Sequence, residues 1–460
     1  MSSKNTSLNG KSNGHSNGYK KDEKTEWDPR QDYLYKMKKD EGISTFLWRQ
    51  QVPGMFIKNY NQDLLIASEG DNYATYTVNS NGNDAVYYFK IKSTTPVLHS
   101  SDPTKYKIAW TTKISNSNLI RVTLRQDNIY MCSLDVHSLN MTHGFFGSEE
   151  YGKRMMDEKA IGNVPELIEF SEKLESRAIG NEPKLYMTAD HALAYPLIFN
   201  EGKDRTTLHI ELKRNIKDLL RVIEYDEVTD KWIHVKPDKK HVVESIEGKL
   251  PIPRVIGRFA RTDKRERRVM LNPEKDMYKT FIVKDFVESA SSETGTYGTK
   301  LKASVSSPYP CSCIFWVAEN ITSTYINNHG NYTTDSEDLR HGLNPIRSTL
   351  FSNNEVLGAD NTADECRHHL PTAPLEEGYN VKCYSYAPRS NQTDYTEIIE
   401  GLTLEAHILH PNMPEEDANI NAALKVESRE VFRLIVRAMI LKKIIIEKDD
   451  KGEWKFKPLY

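Results

Sequence analysis

The 460-residue sequence lacks most features that mark an enzyme or a secreted protein. It contains no Gly-x-Ser-x-Gly nucleophile elbow, no phosphate-binding loop and no dinucleotide-binding glycine motif. Its five cysteines are odd in number and show no framework spacing, which favours reduced thiols in an intracellular compartment over a disulfide scaffold. The net charge of −3 argues against a chain that chiefly neutralises nucleic acid.

Long apolar runs are also scarce. The N-terminus shows no apolar core of a secretory signal. The longest apolar stretch, Val431 to Ile446, carries arginines and lysines, which are too costly for a bilayer span. A basic amphipathic helix on a membrane surface is the alternative, but the many β-branched residues favour a strand. We therefore predict a strand here and a chain that is not itself a membrane protein.

Short strands between turns are the main pattern that the sequence does show. The 24 tyrosines and the many Thr, Val and Ile residues favour strands over helices. Apolar residues alternate with polar ones in several segments, such as 208–212, 300–305 and 402–408, and turn signals separate such segments. The pattern predicts an all-β sandwich or barrel, and the length suits two to three domains.

Two helical segments interrupt the strands. The segment 148–160 is charged and is followed by Gly162, a typical helix-stop residue. A second helix is predicted to begin at Pro165, which suits a first helical position, and to run to about Ser176. Residues 1–25 have too little apolar content to form a core, so we predict a disordered arm, with ordering against a partner as the alternative.

The stretch 344–388 has the most informative order of elements. Its last part, 379–386, alternates with a period of two, with Val381 and Cys383 on one face and Lys382 on the other, which predicts a half-buried strand. The preceding elements are Asn344-Pro345-Ile346, the Asn353-Asn354 turn, the His368-His369 pair and the Thr372-Ala373-Pro374 turn.

This order resembles the second half of the double jelly-roll major capsid proteins of the nucleocytoplasmic large DNA viruses. A second point of resemblance is 192–198, which is similar to the family's Ala-Leu-Pro-Leu-Ile segment after a helix. A third is the charged run 261–268 with 277–287 behind it, which is similar to the family's link between its two halves. The chain is identified as a divergent member, because the family's first strands have only a faint counterpart at 46–49.

The resemblance implies two tandem eight-stranded antiparallel jelly rolls with short helical insertions. It places a disordered arm at 1–25, the first roll at 26–272, a connector at 273–294 and the second roll at 295–460. It also implies a structural role: three copies form a pseudo-hexagonal capsomer in the icosahedral shell of a double-stranded DNA virus.

The partners that the resemblance implies are other copies of the chain, minor capsid and penton proteins, and an inner membrane reached through the arm, with no direct contact to nucleic acid. The implied location is the virion, after assembly in the host cytoplasm. Two alternatives stay open: a minor capsid or scaffold protein of the same fold, and a jelly-roll carbohydrate-binding protein or hydrolase.

Several residue clusters were weighed as chemical sites. Cys311, Cys313, Cys366, His368 and His369 could supply zinc ligands, but one residue between cysteines is too few for the usual motif. Alternation predicts that Cys311 and Cys313 share one core-facing side of a strand. We therefore predict structural thiols and no metal site.

Charged clusters were weighed in the same way. The acid pairs Glu376-Glu377 and Glu415-Glu416 lie beside Pro or Gly and are predicted to be turn residues rather than a glycosidase pair. The basic run 254–268 is interrupted by acids, so a solvated or subunit-facing surface is favoured over a nucleic-acid patch. We predict no catalytic or cofactor-binding residue, no cofactor and no enzymatic activity.

Two further expectations concern exposed regions. Five N-x-[ST] sequons begin at Asn5, Asn140, Asn320, Asn331 and Asn391, and the sequence leaves their glycosylation open. The long loops 320–344 and 353–377 contain Tyr325, Tyr332, Leu343 and Leu357, so we expect them to be buried against other subunits.

Overall fold

The protein is built from antiparallel strands joined by turns and long loops. The computed structural model describes residues 56–78, 85–126, 129–145, 161–183, 206–262, 280–338, 342–359, 380–386, 397–398, 401–409, 430–448 and 454–459. The strands of the first half are β1 (Phe56–Asp63), β2 (Leu65–Glu69), β3 (Tyr73–Val78), β4 (Ala85–Thr94), β5 (Leu98–His99), β6 (Tyr106–Trp110), β7 (Leu119–Gln126), β8 (Ile129–Asp135), β9 (Lys173–Leu174), β10 (Ala178–Asn181), β11 (Thr206–Leu212), β12 (Leu220–Asp226), β13 (Lys231–Val235) and β14 (Arg254–Thr262).

The second half contains the remaining strands. They are β15 (Thr280–Ala290), β16 (Lys300–Val305), β17 (Pro310–Asn320), β18 (Ile346–Ser352), β19 (Glu355–Ala359), β20 (Lys382–Ser385), β21 (Glu397–Ile398), β22 (Leu402–Ile408), β23 (Phe432–Lys448) and β24 (Trp454–Leu459). The described helices are short: α1 (Ile114–Ser117), α2 (Val136–Phe145), α3 (Pro165–Ile168) and α4 (Ile321–Tyr325), with 3-10 turns at Ile216–Asp218 and Lys239–His241. Within these ranges no helix is long and apolar enough to cross a membrane.

The first roll consists of two facing sheets. Their strand orders are β1-β14-β4-β10 and β2-β3-β11-β7-β8. These two sheets contain nine strands, of which β2 is an extra edge strand. When the other eight are numbered along the chain, one sheet has the order first-eighth-third-sixth and the other second-seventh-fourth-fifth. The side chains of β11 alternate between buried and half-buried, because only one face of its sheet meets the opposite sheet. A shared apolar core lies between the sheets.

The second roll repeats the same connectivity. Apart from β21, which pairs with β17, and β24, which pairs with β23, its sheets are β15-β23-β17-β20 and β16-β22-β18-β19, again first-eighth-third-sixth and second-seventh-fourth-fifth. Eight strands in this order form a jelly roll, so the prediction of two antiparallel jelly rolls with short helical insertions is confirmed. The alternation predicted for 300–305 and 402–408 is present, and Val431–Ile446 lies almost wholly within the long strand β23.

A bulge in β17 overturns the prediction for Cys311 and Cys313. Both thiols are buried, but Cys311 packs in the core of the second roll and Cys313 in a separate cluster on the other side of the sheet. Opposite β23, Cys311 pairs with Ile440 and Cys313 with Met439, so Ser312 is an extra residue. One extra residue reverses the direction of every later side chain, which separates the two thiols.

The expected connector contains a strand. β15 lies inside the predicted range 273–294, and it pairs along its whole length with β23. The resemblance placed the start of the second roll at residue 295, and β15 lies in the same sheet as β23. The fifth and sixth strands of this roll are β19 and β20, and the residues between them, 360–379, lie outside the described part.

The predicted second helix is shorter than expected. Pro165 does occupy its first turn, but Glu169 is already extended and the helix ends at Ile168. Leu174 is buried from the short strand β9 instead. Gly162 has φ +82, as a helix-stop glycine requires, and a Cβ there would collide with Ile114. The predicted helix at 148–160 lies outside the described residues.

The half-buried strand predicted over 379–386 corresponds to β20, but residues 381–383 are buried on both faces. Val381 and Cys383 are buried as expected, but Lys382 is only 2% exposed and its Nζ donates to the carbonyl oxygen of Ile346 at 3.1 Å. Lys382 is buried because its side chain reaches β18 in the other sheet, while Val381 and Cys383 pack in the apolar cluster on the opposite side of β20.

The long loops of the first roll form a separate layer at one end of it. In a jelly roll the third-fourth, fifth-sixth and seventh-eighth connections leave the sandwich at the same end. Here these loops supply a three-stranded sheet, β13-β12-β6, together with α1 and α3. This layer has its own apolar core around Ile108, Trp110 and Leu220. We call it the cap, comprising residues 95–118, 161–177 and 213–253.

Candidate assembly site: the joint between the rolls and the cap

The two rolls meet where β8 of the first lies beside β15 of the second. Asp285 on β15 accepts a hydrogen bond from the backbone N–H of Ser133 at 2.9 Å and one from the Tyr130 hydroxyl at 3.2 Å. The same carboxylate pairs with Lys442 on β23, whose ammonium also lies 4.4 Å from the centre of the Tyr130 ring. Ser133 lies on the outer strand of the first roll's sheet, which leaves its backbone N–H without a partner strand, and Asp285 accepts that hydrogen bond instead. We call this contact between the rolls the joint.

A buried ion pair forms the centre of the joint. Asp135, at the end of β8, pairs with Arg437 on β23, and their side chains are 8% and 6% exposed. Burial alone would raise the pKa of Asp135, but the hydrogen bond and charge of Arg437 hold it well below its usual range. Asp135 also accepts the backbone N–H of Ser138 at 2.8 Å, as a residue that caps a helix does. One carboxylate therefore starts α2 and fixes the second roll.

A second, half-exposed ion pair lies at the edge of the joint. Arg121 on β7 donates two hydrogen bonds to the carboxylate of Glu288 on β15, at 2.6 and 2.9 Å. The bidentate geometry fixes the relative position of the two strands as well as attracting them. Arg121 also donates to the hydroxyl of Ser133 at 3.1 Å, which orients the guanidinium.

Apolar side chains fill the rest of the joint. The bulge in β17 turns Cys313, Phe315 and Val317 away from the core of the second roll, and they pack with Met141 from α2 and with Tyr332. All five are at most 1% exposed. The bulge therefore gives the second roll an apolar outer face, against which α2 of the first roll packs through Met141.

The segment 321–338 of the second roll extends this contact into the cap. Asn327 donates to the carbonyl oxygens of Lys217 and Leu220 at 2.6 and 2.8 Å. His329 donates through Nε2 to the carbonyl oxygen of Asp218 at 2.8 Å. In the other direction, Arg221 of the cap donates to the carbonyl oxygen of Glu337 at 2.9 Å. These bonds attach a loop of one roll to the loops of the other.

Two histidines in this contact are held neutral. Burial, reinforced by nearby Lys213, lowers the pKa of His329 to about 4. Burial, reinforced by Arg221, lowers the pKa of His234 to about 4, against the opposing carboxylates of Asp335 and Asp338. A proton taken up by either imidazole would be placed beside an existing cation in a site with little water.

Within one chain, the residues of the loop 320–344 that were expected to meet other subunits differ in exposure. Tyr332 is 1% exposed, but its burial is within the chain, at the joint. Tyr325 and Leu343 are 69% and 54% exposed, so they stay available for a neighbour. Leu357 packs at the margin of the second roll's core. Alternation and loop length could not distinguish a partner subunit from the other half of the same chain.

Three of the five sequon asparagines are structural. Asn140, Asn320 and Asn331 are each at most 1% exposed. Asn140 accepts from Asn116 at 2.8 Å, Asn320 donates to Glu430 at 2.9 Å, and Asn331 donates to the carbonyl oxygen of Asp335 at 2.6 Å. A glycan attaches to Nδ2, and none of these buried amide groups has room beside it for a sugar, so the folded chain excludes glycosylation there. Asn5 and Asn391 lie outside the described residues.

The clusters that were weighed for chemistry do not come together in the described ranges. There, no three His, Cys, Asp or Glu side chains are arranged to hold a metal. Cys366, His368, His369 and both acid pairs lie outside those ranges. Of the basic run, Arg254 forms an exposed ion pair with Asp63, and Arg258 reaches the amide oxygen of Asn61 at 3.4 Å. Residues 263–268 also lie outside the described ranges.

The sequence reasoning missed the residues that form the joint. Asp135 and Arg437 are 302 positions apart, and no local pattern connects them. One signal was present: arginine inside the most apolar stretch of the chain requires a buried acceptor, because an unpaired buried charge is too costly. That rule predicts a partner for Arg437 but does not say which acid supplies it.

Comparison with known proteins gives a likeness of fold. No family model and no curated protein matches the sequence. Among solved structures, the PBCV-1 protein VP54 superposes with a TM-score of 0.59 at 12% identity, over 89% of this chain and 98% of its own. The Faustovirus major capsid protein gives 0.60 at 7% identity, over 86% and 92%. A chain of the quasi-atomic PBCV-1 capsid gives 0.57 at 12%, over 88% and 96%. These likenesses identify the fold as a double jelly roll.

Proposed function

We propose that this chain is a major capsid protein, three copies of which form a pseudo-hexagonal capsomer in the icosahedral shell of a double-stranded DNA virus. The observation that carries the proposal is the joint. Two rolls with the same strand order are fixed side by side by a buried ion pair, a half-exposed ion pair and an apolar contact. A rigid pair of equivalent rolls is the unit from which three chains can build a ring of six.

The fold likeness supports this role, since the similar structures include a Faustovirus major capsid protein and a PBCV-1 capsid chain. The exposed Tyr325 and Leu343 supply apolar contacts for neighbouring subunits. On this proposal the chain is not an enzyme. It resides in the virion after assembly in the host cytoplasm, and it contacts minor capsid and penton proteins. The arm 1–25 attaches to the layer beneath the shell.

The division of the chain is part of the proposal. We propose that the second roll begins with β15 rather than at residue 295, because β15 is the first strand of its sheet. The first roll then ends with β14, and the connector is limited to the residues between these strands.

Electron microscopy and light scattering of the purified protein test the proposal together. We expect particles with the mass of three chains and a hexagonal outline. A stable monomer at high concentration would contradict the capsomer. A trimer without six-part symmetry would favour a minor shell protein of the same fold.

A further inference from the structure

The fourth strands of the two rolls share a sequence. β7 contains Ile-Arg-Val-Thr-Leu from Ile120 to Leu124, and β18 contains Ile-Arg-Ser-Thr-Leu from Ile346 to Leu350. The pairing is also the same: Leu124 lies opposite Leu208 and Leu350 opposite Leu404 on the seventh strands.

A bulge follows each of these leucines in the pairing with the fifth strand, between Leu124 and Arg125 and between Leu350 and Phe351. Arg121 and Arg347 each lie three residues before the leucine at the bulge, so they occupy equivalent positions. By the same count Val356 on β19 corresponds to Tyr130 on β8.

The first strands of the two rolls can be matched in the same way. The third strand of each roll has a bulge against the eighth, at Tyr87 in the first roll and at Ser312 in the second. Counting from these bulges, Ile256 on β14 corresponds to Arg437 on β23. Ile256 lies opposite Asp63 and Arg437 lies opposite Glu288. Asp63 therefore corresponds to Glu288.

These two correspondences identify the residues that are equivalent to the two members of one ion pair. Within one chain, Arg121 on β7 binds Glu288 on β15 across the joint. Their counterparts, Arg347 and Asp63, lie on the two sides of the chain that the joint does not use. β19 and β1 are the outer strands of their sheets in the described part, as β8 and β15 are at the joint.

We propose that Arg347 of one copy binds Asp63 of the next copy, so that the contact between subunits repeats the joint within each chain. This inference rests on the proposed capsomer, because a closed head-to-tail ring of three chains brings the second roll of each copy beside the first roll of the next. Asp63 is accessible, with its side chain 49% exposed in its pair with Arg254. The apolar Val356, Leu65 and Ile66 near the two strands are 57%, 65% and 47% exposed, which suits a surface that a second copy covers.

Cross-linking tests the contact without depending on affinity. The variant carries Asp63→Cys and Arg347→Cys in a Cys366→Ser background, and the thiols of Cys132, Cys311, Cys313 and Cys383 are buried. A short bis-maleimide applied to the trimer should join chains into covalent dimers and closed trimers on a denaturing gel. The matched control is Asp63→Cys with Lys302→Cys. Lys302 is 63% exposed on β16, at the other edge of the sheet that contains β19, and it should give no cross-link.

Charge exchange gives a second, independent readout. Arg347→Glu and Asp63→Lys each place like charges together, and each should raise the concentration of half-dissociation about tenfold. The double variant should restore most of the trimer, whereas Lys302→Glu should leave it unchanged. Circular dichroism checks that each variant is folded.

The possible outcomes distinguish a failure of the Arg347–Asp63 contact from a failure of the capsomer. A trimer that neither cross-links through these positions nor responds to charge exchange overturns the inference and leaves the capsomer in place. A wild-type protein that is monomeric overturns both.

Discussion

Replacing Arg437 by methionine tests how strongly the buried ion pair holds the joint. Methionine keeps a long unbranched side chain but removes the guanidinium. The substitution leaves the carboxylate of Asp135, 8% exposed, without its cation. It also removes the hydrogen bonds from Nη1 to the carbonyl oxygens of Ser289 and Val436, at 3.0 and 2.8 Å.

The expected cost is about 3–5 kcal/mol in the free energy of unfolding, because breaking one side of a buried pair leaves an uncompensated charge. That is a large part of the roughly 5–15 kcal/mol by which a typical protein is stable. The double variant Asp135→Asn, Arg437→Met should cost less than Arg437→Met alone. Asparagine retains an oxygen for the N–H of Ser138, and no charge is left buried.

The assay is urea unfolding followed by fluorescence at a fixed protein concentration, since assembly also stabilises the fold. The control is Lys239→Met, which breaks a pair with Glu247 whose side chains are 72% and 66% exposed, and it should change stability by less than about 1 kcal/mol. The pKa of Asp135 is lowered, so the ion pair stabilises the fold above the ordinary value of 3.8 and loses its effect as the pH falls below it. A cost for Arg437→Met within about 1 kcal/mol of the control would refute the argument.

Three further predictions follow from the joint and the cap. The pKa of His329 is lowered from 6.5 to about 4, so the attachment of the segment 321–338 should be strongest above pH 6.5 and weaken as the pH falls towards 4. Hydrogen exchange of the segment measures this attachment, and His329→Gln should reduce its dependence on pH. Asn331→Ala should lower the free energy of unfolding by about 1–3 kcal/mol, because it leaves buried hydrogen-bond partners unsatisfied. Mass spectrometry of the natural protein should find Asn140 and Asn331 without glycans. Cys313 should react with a thiol reagent only after unfolding, at the same urea concentration as the fluorescence change, whereas early reaction would show that the joint opens first.

The sequence predicted the parts of the fold that depend on local pattern. Strands such as β11, β16 and β22 bury one face, and the period of two follows directly from that. The sequence did not predict the side of β17 on which Cys313 lies, because a bulge is decided by pairing with β23, more than a hundred residues away. The same limit applies to Lys382, whose ammonium binds the carbonyl oxygen of Ile346 on β18, in the other sheet of the second roll.

The candidate site was harder to predict for a related reason. Tyr332 was expected to be buried, and it is, but it packs against its own roll and Met141 of α2 rather than a second subunit. Apolar content states that a residue will be covered and does not identify the cover. The repeated Ile-Arg-x-Thr-Leu segment was visible in the sequence, yet five residues are too few to indicate a duplication until the bulges beside them agree.

The pairing of first with last strands also determines the order in which the chain can fold during synthesis. Asp63 and Arg254 are 191 positions apart, so the first roll cannot close until nearly all of it has left the ribosome. At that moment β15, which follows β14 in the sequence, has not yet emerged from the ribosome, and the first roll closes without competition from the strands of the second. The reverse does not hold: β23 needs Asp135 for its buried arginine, and the segment 321–338 needs the cap. The first roll therefore serves as the template on which the second is completed, and a defect in the cap should appear as misfolding of the half of the chain that is made later.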